Sequence, residues 1–133
     1  MSFAISELEK EALLDLDITE TNVRLVSLSI VQKRIKWLKY KYLLEEQLSE
    51  IEGKYNSLYK VTFKKIKTDS NLIMDKKDLE KSILADPDMI KAKRILNTQI
   101  HLTEFVDGIL KALDNVSFQI NNYVKVRAFE EGG

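Results

Sequence analysis

The chain has no cysteine and, in 133 residues, one proline, four glycines and a single histidine. Without cysteine there is neither a disulfide framework nor a thiolate metal site, and an intracellular location fits that lack. So little proline and glycine leaves scant turn chemistry for a sheet-rich fold. No apolar run approaches the roughly 18 residues of a membrane span. The opening MSFAISELEKEALLDLD is acidic and lacks the apolar core of a signal peptide. A soluble protein is expected. The one histidine, His101, lies beside an apolar stripe and suits a structural or solvated role. Glu45/Glu46 and Asp86/Asp88 have no His or Cys nearby, and no glycine-rich phosphate loop or nucleophile motif occurs. Catalysis, a metal site and cofactors are not expected.

What is present favours helices. Hydrophobic residues make up 44% and charged residues 32%, with Leu, Ile, Lys and Glu abundant, and the length suits one helical domain. A first helix is expected over about 3–15, with Leu8 and Ala12 on one face and Phe3 and Ile5 as candidates to join them. Asp17, three residues before Glu20, has the spacing of an N-cap and its reciprocal acid. A long helix should follow from 20 to about 60–66. Leu28, Val31, Ile35, Leu38 and Tyr42 form its first apolar stripe, and Leu44, Leu48, Ile51, Tyr55 and Leu58 its second. Gly53 is a weak point within it. YKVTFKK alternates like a strand, but a lone strand has no partner in a helical chain, so it reads as exposed last turns of the long helix. TDSNLIMD is then a loop, followed by a short helix around 76–84. ADPDM marks the next boundary: Asp86 can cap, Pro87 fits the first helical position, and Asp88 suits the dipole. The last helix should run to about 126.

The fold class expected is all-α, with two long amphipathic helices and two short ones. In the last helix Leu102, Phe105, Ile109, Ala112, Leu113, Val116, Ile120 and Tyr123 form a wide apolar face, and Gly108 within it suits close helix approach. So thin a fold should leave that face wet, which points to a homo-oligomer interface. Residues 1–68 would then form a basic N-terminal part and 69–133 an oligomerisation part.

The zero net charge hides a strong pattern. Residues 1–20 sum to −5, residues 21–68 to +7, and residues 69–133 to −2. Two windows, 21–44 and 53–68, contain no acid at all. In the first, Lys33, Arg34, Lys36, Lys39 and Lys41 interleave with Trp37, Tyr40 and Tyr42. In the second, Lys54, Lys60, Lys64, Lys65 and Lys67 accompany Tyr55, Tyr59 and Phe63. Cations that track phosphates and aromatics that stack on nucleobases are what single-stranded nucleic acid requires. A lysine-rich helix face is also commonly just solvated, with Trp37 in the core. A coiled-coil adaptor that binds only proteins is the alternative, in which the acidic N-terminal segment could pair with the basic middle of its own chain or of a neighbour's.

Three segments carry a family resemblance. KWLKYKYLLEEQLSEIE, ADPD and VRAFEEGG, through Trp37, Ile51, Glu52, Asp86, Asp88, Arg127, Phe129 and Glu130, together resemble the UvsY family of recombination mediators of tailed phages. The likeness covers about 33–133 well and the first 30 residues loosely. It implies a non-enzymatic protein that binds single-stranded DNA in the cytoplasm of the infected bacterial host. It also implies a ring-like hexamer or heptamer formed through the C-terminal helical region. Such a protein helps load a RecA-like recombinase onto DNA covered by single-strand-binding protein, in recombination, repair and replication. The family's basic element, Leu-Lys-Ala-Arg-Leu, falls on Tyr59 to Phe63. Lys60 matches it, Thr62 departs from it, and Lys64, Lys65 and Lys67 lie near enough to replace the missing charge.

Overall fold

The computed structural model describes residues 4–17, 23–69 and 74–132, without the side chains of 23–28 and 123. It contains four helices: α1 (Ile5–Leu16), α2 (Val23–Asp69), α3 (Lys76–Leu84) and α4 (Pro87–Gly132). No strand occurs among the described residues. The alternation in YKVTFKK is overridden by a proline-free run of good helix formers, and α2 continues unbroken to Asp69. The Asp17–Glu20 cap lies outside the described residues apart from Asp17 itself, which is extended and ends α1.

Local chemistry sets two of the helix starts. Asp86 accepts hydrogen bonds from the backbone N–H of Asp88 at 2.9 Å and of Met89 at 3.4 Å, with Pro87 in the first helical position. Those bonds satisfy two of the donors that a helix start leaves orphaned. Asp75 does the same for α3, accepting from the Asp78 N–H at 2.8 Å. Gly53 has an ordinary negative φ, so α2 passes through it without a bend in its dihedrals.

The chain divides into two compact units, Met1–Leu43 with Leu102–Gly133, and Leu44–His101. In the first, Leu8 and Ala12 of α1, Trp37 of α2 and Leu102, Val106, Ile109, Leu110, Leu113, Val116 and Ile120 of α4 are buried. Val116 and Ile120 pack with Leu16 and Ile30. In the second, Leu44, Ile83, Met89 and Leu96 form the core, and the Gln99 amide donates to the Leu44 carbonyl at 3.0 Å and to Gln47 at 3.3 Å. Among the described residues no buried side-chain nitrogen or oxygen lacks a partner.

The structure corrects three expectations. The α4 face from Leu102 to Ile120 is not left wet: those side chains are buried within the chain, with Phe105 and Ala112 half-buried, so a second copy cannot reach them as a surface. The side chain of Tyr123 lies outside the described residues. Gly108 faces solvent, with nothing within 4 Å of where a Cβ would stand, so no close helix approach requires it. The first apolar stripe of α2 also points the wrong way at three of its positions, while Leu38 is half-buried as expected and the side chain of Leu28 lies outside the described residues. Val31, Ile35 and Tyr42 are exposed, and Ile30, Lys33, Trp37, Lys41 and Leu44 turn inward or lie half-buried instead. A periodicity that counts lysine as outward fails where carboxylates on a neighbouring helix draw lysine in.

Candidate nucleic-acid interface

The two acid-free windows occupy successive stretches of α2, and their side chains meet different surroundings. In the first window three of the basic residues, Arg34, Lys36 and Lys41, pair with acids. Lys36 Nζ lies 2.6 Å from Asp15 Oδ2 and 3.3 Å from Glu11 Oε2, both on α1. Lys33 Nζ donates to the Asp15 backbone carbonyl at 3.3 Å, and Tyr40 donates its hydroxyl to Glu11 at 3.1 Å. Trp37 is fully buried and donates Nε1–H to Asp15 Oδ2 at 2.9 Å. Its ring meets Tyr40 edge-on at 5.2 Å, with the Lys36 ammonium 5.4 Å from the centroid. On α4, Asp114 pairs with Arg34 at 3.3 Å and Asp107 with Lys41 at 3.0 Å. Lys39 alone of the five cations is exposed without an ion pair among the described residues.

These contacts shift two ionisations. For Lys36, burial is the largest single influence and opposes the charged form, but the hydrogen bonds and charges of Asp15 and Glu11 together outweigh it, and its pKa rises. For Tyr40, burial comes first, and the Glu11 hydrogen bond and charge add to it, so the phenol also titrates above its ordinary value.

The second window is arranged otherwise. Lys60, Lys64 and Lys67 recur at steps of four and three, which places them on one helix face, with Lys54 and Lys65 on the adjoining row. All five are exposed. Among the described residues none of them pairs with a carboxylate; Lys67 lies over the Phe63 ring at 5.5 Å. Opposite this row Thr62 is buried, so its side chain belongs to the core of the Leu44–His101 unit. An arginine there would have to bury its charge. Tyr55, Tyr59 and Phe63 are half-buried on the flanks. Of these lysines only Lys54 lines an open groove of about 250 Å³, together with Ile51, Tyr55, Leu58, Ala92 and Ile95, with Lys93 5.4 Å from the Tyr55 ring centroid.

Of the residues singled out in the sequence, Lys54, Lys60, Lys64, Lys65 and Lys67 thus share an open basic surface with Tyr59 at its edge. Lys33, Arg34, Lys36, Trp37 and Lys41 are drawn into contacts with α1 and α4. The periodicity gave no sign of those contacts, although the acid excess of residues 1–20 was visible. No group of three or more His, Cys, Asp or Glu placed to hold a metal occurs among the described residues. Nor is any described helix long and apolar enough to cross a membrane.

Residues 7–133 match the family described as "Recombination, repair and ssDNA binding protein UvsY". No curated protein sequence matches the chain. Among solved structures the fold is similar to crystal structures of the bacteriophage T4 recombination mediator protein UvsY. One has a TM-score of 0.87 at 22% identity, covering 96% of this chain and 99% of that one. A second gives 0.84 at 22% identity over 98% and 99%, and a third 0.79 at 23% over 93% and 98%. At such identities the likeness establishes the fold, and the family match extends across nearly the whole sequence. The chain belongs to the UvsY family of recombination and repair proteins.

Proposed function

We propose that the chain is a non-enzymatic mediator that binds single-stranded DNA through the lysine face of α2. In this reading it helps load a RecA-like recombinase onto DNA covered by single-strand-binding protein, in the cytoplasm of the infected bacterial host. The observation that carries the reading is the row Lys60, Lys64 and Lys67, with Lys54 and Lys65 beside it, exposed and without carboxylate partners among the described residues. An unneutralised row of cations attracts a polyanion whatever the net charge of the whole chain. The adjacent groove and the edge of Tyr59 offer apolar surface to nucleobases.

Assembly into a hexameric or heptameric ring belongs to the same proposal, because several copies of a weak site raise the effective concentration of each further contact. The surface for it cannot be the buried Leu102–Ile120 face. Ile90, Ile95, Phe118, Val124, Val126 and Phe129 of α4 are exposed, and the last four, clustered towards its C-terminal end, are apolar side chains which a second copy can reach.

The test is a titration of labelled oligothymidylate, and of a duplex of equal length, with the full chain at low salt. Single strands should bind more tightly, and the Lys60/Lys64/Lys65→Ala variant should lose most of that affinity while keeping its helical circular dichroism. Equal binding by parent and variant would assign the second window to solvent. No defined complex with either nucleic acid would favour an adaptor that binds only proteins.

A further inference from the structure

We propose that Lys33, Lys36, Trp37 and Tyr40 form a second contact for single-stranded DNA, and that Glu11 and Asp15 of α1 cover it as an internal stand-in for phosphates. This rests on the reading of the chain as a single-strand-binding protein and adds a regulated site to it.

The contact is built from the right chemistry. Two lysines flank an indole and a phenol on an acid-free stretch of α2, the combination that grips phosphates while nucleobases stack. What now occupies it is anionic. Asp15 Oδ2 takes the Lys36 ammonium at 2.6 Å and the Trp37 N–H at 2.9 Å. The Glu11 carboxylate takes the Tyr40 hydroxyl at 3.1 Å and lies 3.3 Å from Lys36. The two acids stand four residues apart on one helix face, about 5–6 Å from each other. Two oxyanions at that separation resemble neighbouring phosphates along a strand. Arg34 and Lys41 are held separately by Asp114 and Asp107 of α4, so displacing α1 would leave those two pairs in place.

The cover is lightly held. α1 has 12 residues, no side-chain hydrogen bond at its N-cap, and an extended residue at its end. A helix of that length is marginal on its own. Only Leu8 and Ala12 of α1 are fully buried. Half-buried Leu16 packs with Val116 and Ile120 of α4, and the rest of the hold of α1 on α2 includes ion pairs whose Lys36 side is partly exposed, which salt and competing polyanions weaken. A strand that displaces α1 would replace both carboxylates with phosphates and open the Trp37 ring to a nucleobase. Until then the acid excess of the first 20 residues repels DNA from this stretch. Binding at the open lysine face of residues 54–67 therefore comes first, and the α1-covered contact engages only when strand is locally abundant.

Trp37 is the sole tryptophan, so its emission reports on this contact alone. The full chain is titrated with labelled oligothymidylate while anisotropy follows binding and acrylamide quenching follows Trp37. A parallel arm uses inorganic polyphosphate. Trp37 should start shielded, become quenchable as excess oligothymidylate accumulates, and respond far less to polyphosphate, which has no nucleobase to stack. The Glu11→Gln/Asp15→Asn variant should show an accessible Trp37 without DNA and bind oligothymidylate roughly three- to tenfold more tightly. DNA binding by anisotropy with Trp37 as shielded as before overturns this inference and leaves the lysine face of residues 54–67 standing. An equal response to polyphosphate overturns the nucleic-acid assignment in favour of a general polyanion site. No binding by anisotropy removes both readings. The unmodified chain alone distinguishes these outcomes, even if the variant fails to fold.

Discussion

The two acid-free windows of α2 are nearly the same in composition and opposite in fate. Residues 33–42 of the first and 54–67 of the second each carry five basic residues and three aromatics. In residues 33–42, four of the five basic side chains meet carboxylates or a carbonyl of α1 or α4, and the tryptophan is entirely buried. In residues 54–67 all five lysines stand in solvent and the aromatics only half-submerge. Composition measures how much positive potential a stretch could present. Whether the stretch presents it is decided by acids elsewhere in the chain that fold onto it. The first window is structural while α1 covers it, and the second is the open surface.

If that contrast is right, the aromatics should differ most. Trp37→Ala removes a fully buried indole and one of the two donors to Asp15 Oδ2, and should cost about 3–5 kcal/mol in urea unfolding. The matching change in the second window, Tyr59→Ala, should cost less than half as much. Similar losses at the two positions would mean that the windows are not distinct in role.

A smaller effect is expected from the acid that organises the first window. Asp15→Ala leaves the Trp37 N–H and Lys36 without their shared acceptor, a loss of about 1–3 kcal/mol. It should appear as a lower thermal midpoint together with increased quenching of Trp37. Wild-type quenching with an unchanged midpoint would show that Asp15 is not what closes the face.

Alkaline pH separates the windows without mutation. The folded chain raises the pKa of both Lys36 and Tyr40, so each contributes stability that is complete below its unfolded value and disappears as pH rises through its folded value. Both unfolded values lie near about pH 10. Stability should hold from neutrality to that point and decline above it, with Trp37 emission changing in step. An Asp15→Asn/Glu11→Gln chain should lose much of that alkaline dependence.

The smallest expected change lies between the windows. Gly53 is helical with negative φ and open space where a Cβ would stand, so Gly53→Ala should add about 1 kcal/mol. Destabilisation there would mean that α2 needs the freedom of glycine at the junction.

The parts of this structure that could be read from the sequence are those governed by near neighbours. Asp86 and Pro87 announce the start of α4 because capping joins residues two or three apart. The stripe from Leu102 to Ile120 identifies a buried face because helical spacing repeats along one segment. Periodicity could not say what covers that face, and so the same stripe read as one left wet. The charge pattern allowed the acidic first segment to pair with the basic middle of the chain, as Lys36 does with Asp15 and Glu11, but the individual partners of Lys33, Lys36 and Lys41 escaped for a related reason. A lysine turns inward only when an acid far along the chain meets it, and no local pattern encodes Asp15 against Lys36 or Asp107 against Lys41. Thr62 shows the converse: its departure from the family's basic element has a structural reason, burial, that the sequence alone did not display. The open lysines of residues 54–67 were legible because nothing in the fold intervenes.

The salt dependence of oligothymidylate binding tests the central claim most directly, measured on two variants that each remove three cations. One is Lys60/Lys64/Lys67→Ala and the other Arg34/Lys39/Lys41→Ala. Single-strand binding loses about 0.7 in log–log salt slope for each phosphate contact removed. The first variant should therefore flatten the slope by about 2, and the second by less than half of that, with both chains still helical. A larger flattening from the second variant, or none from the first, would contradict the assignment of DNA contact to the open face of α2.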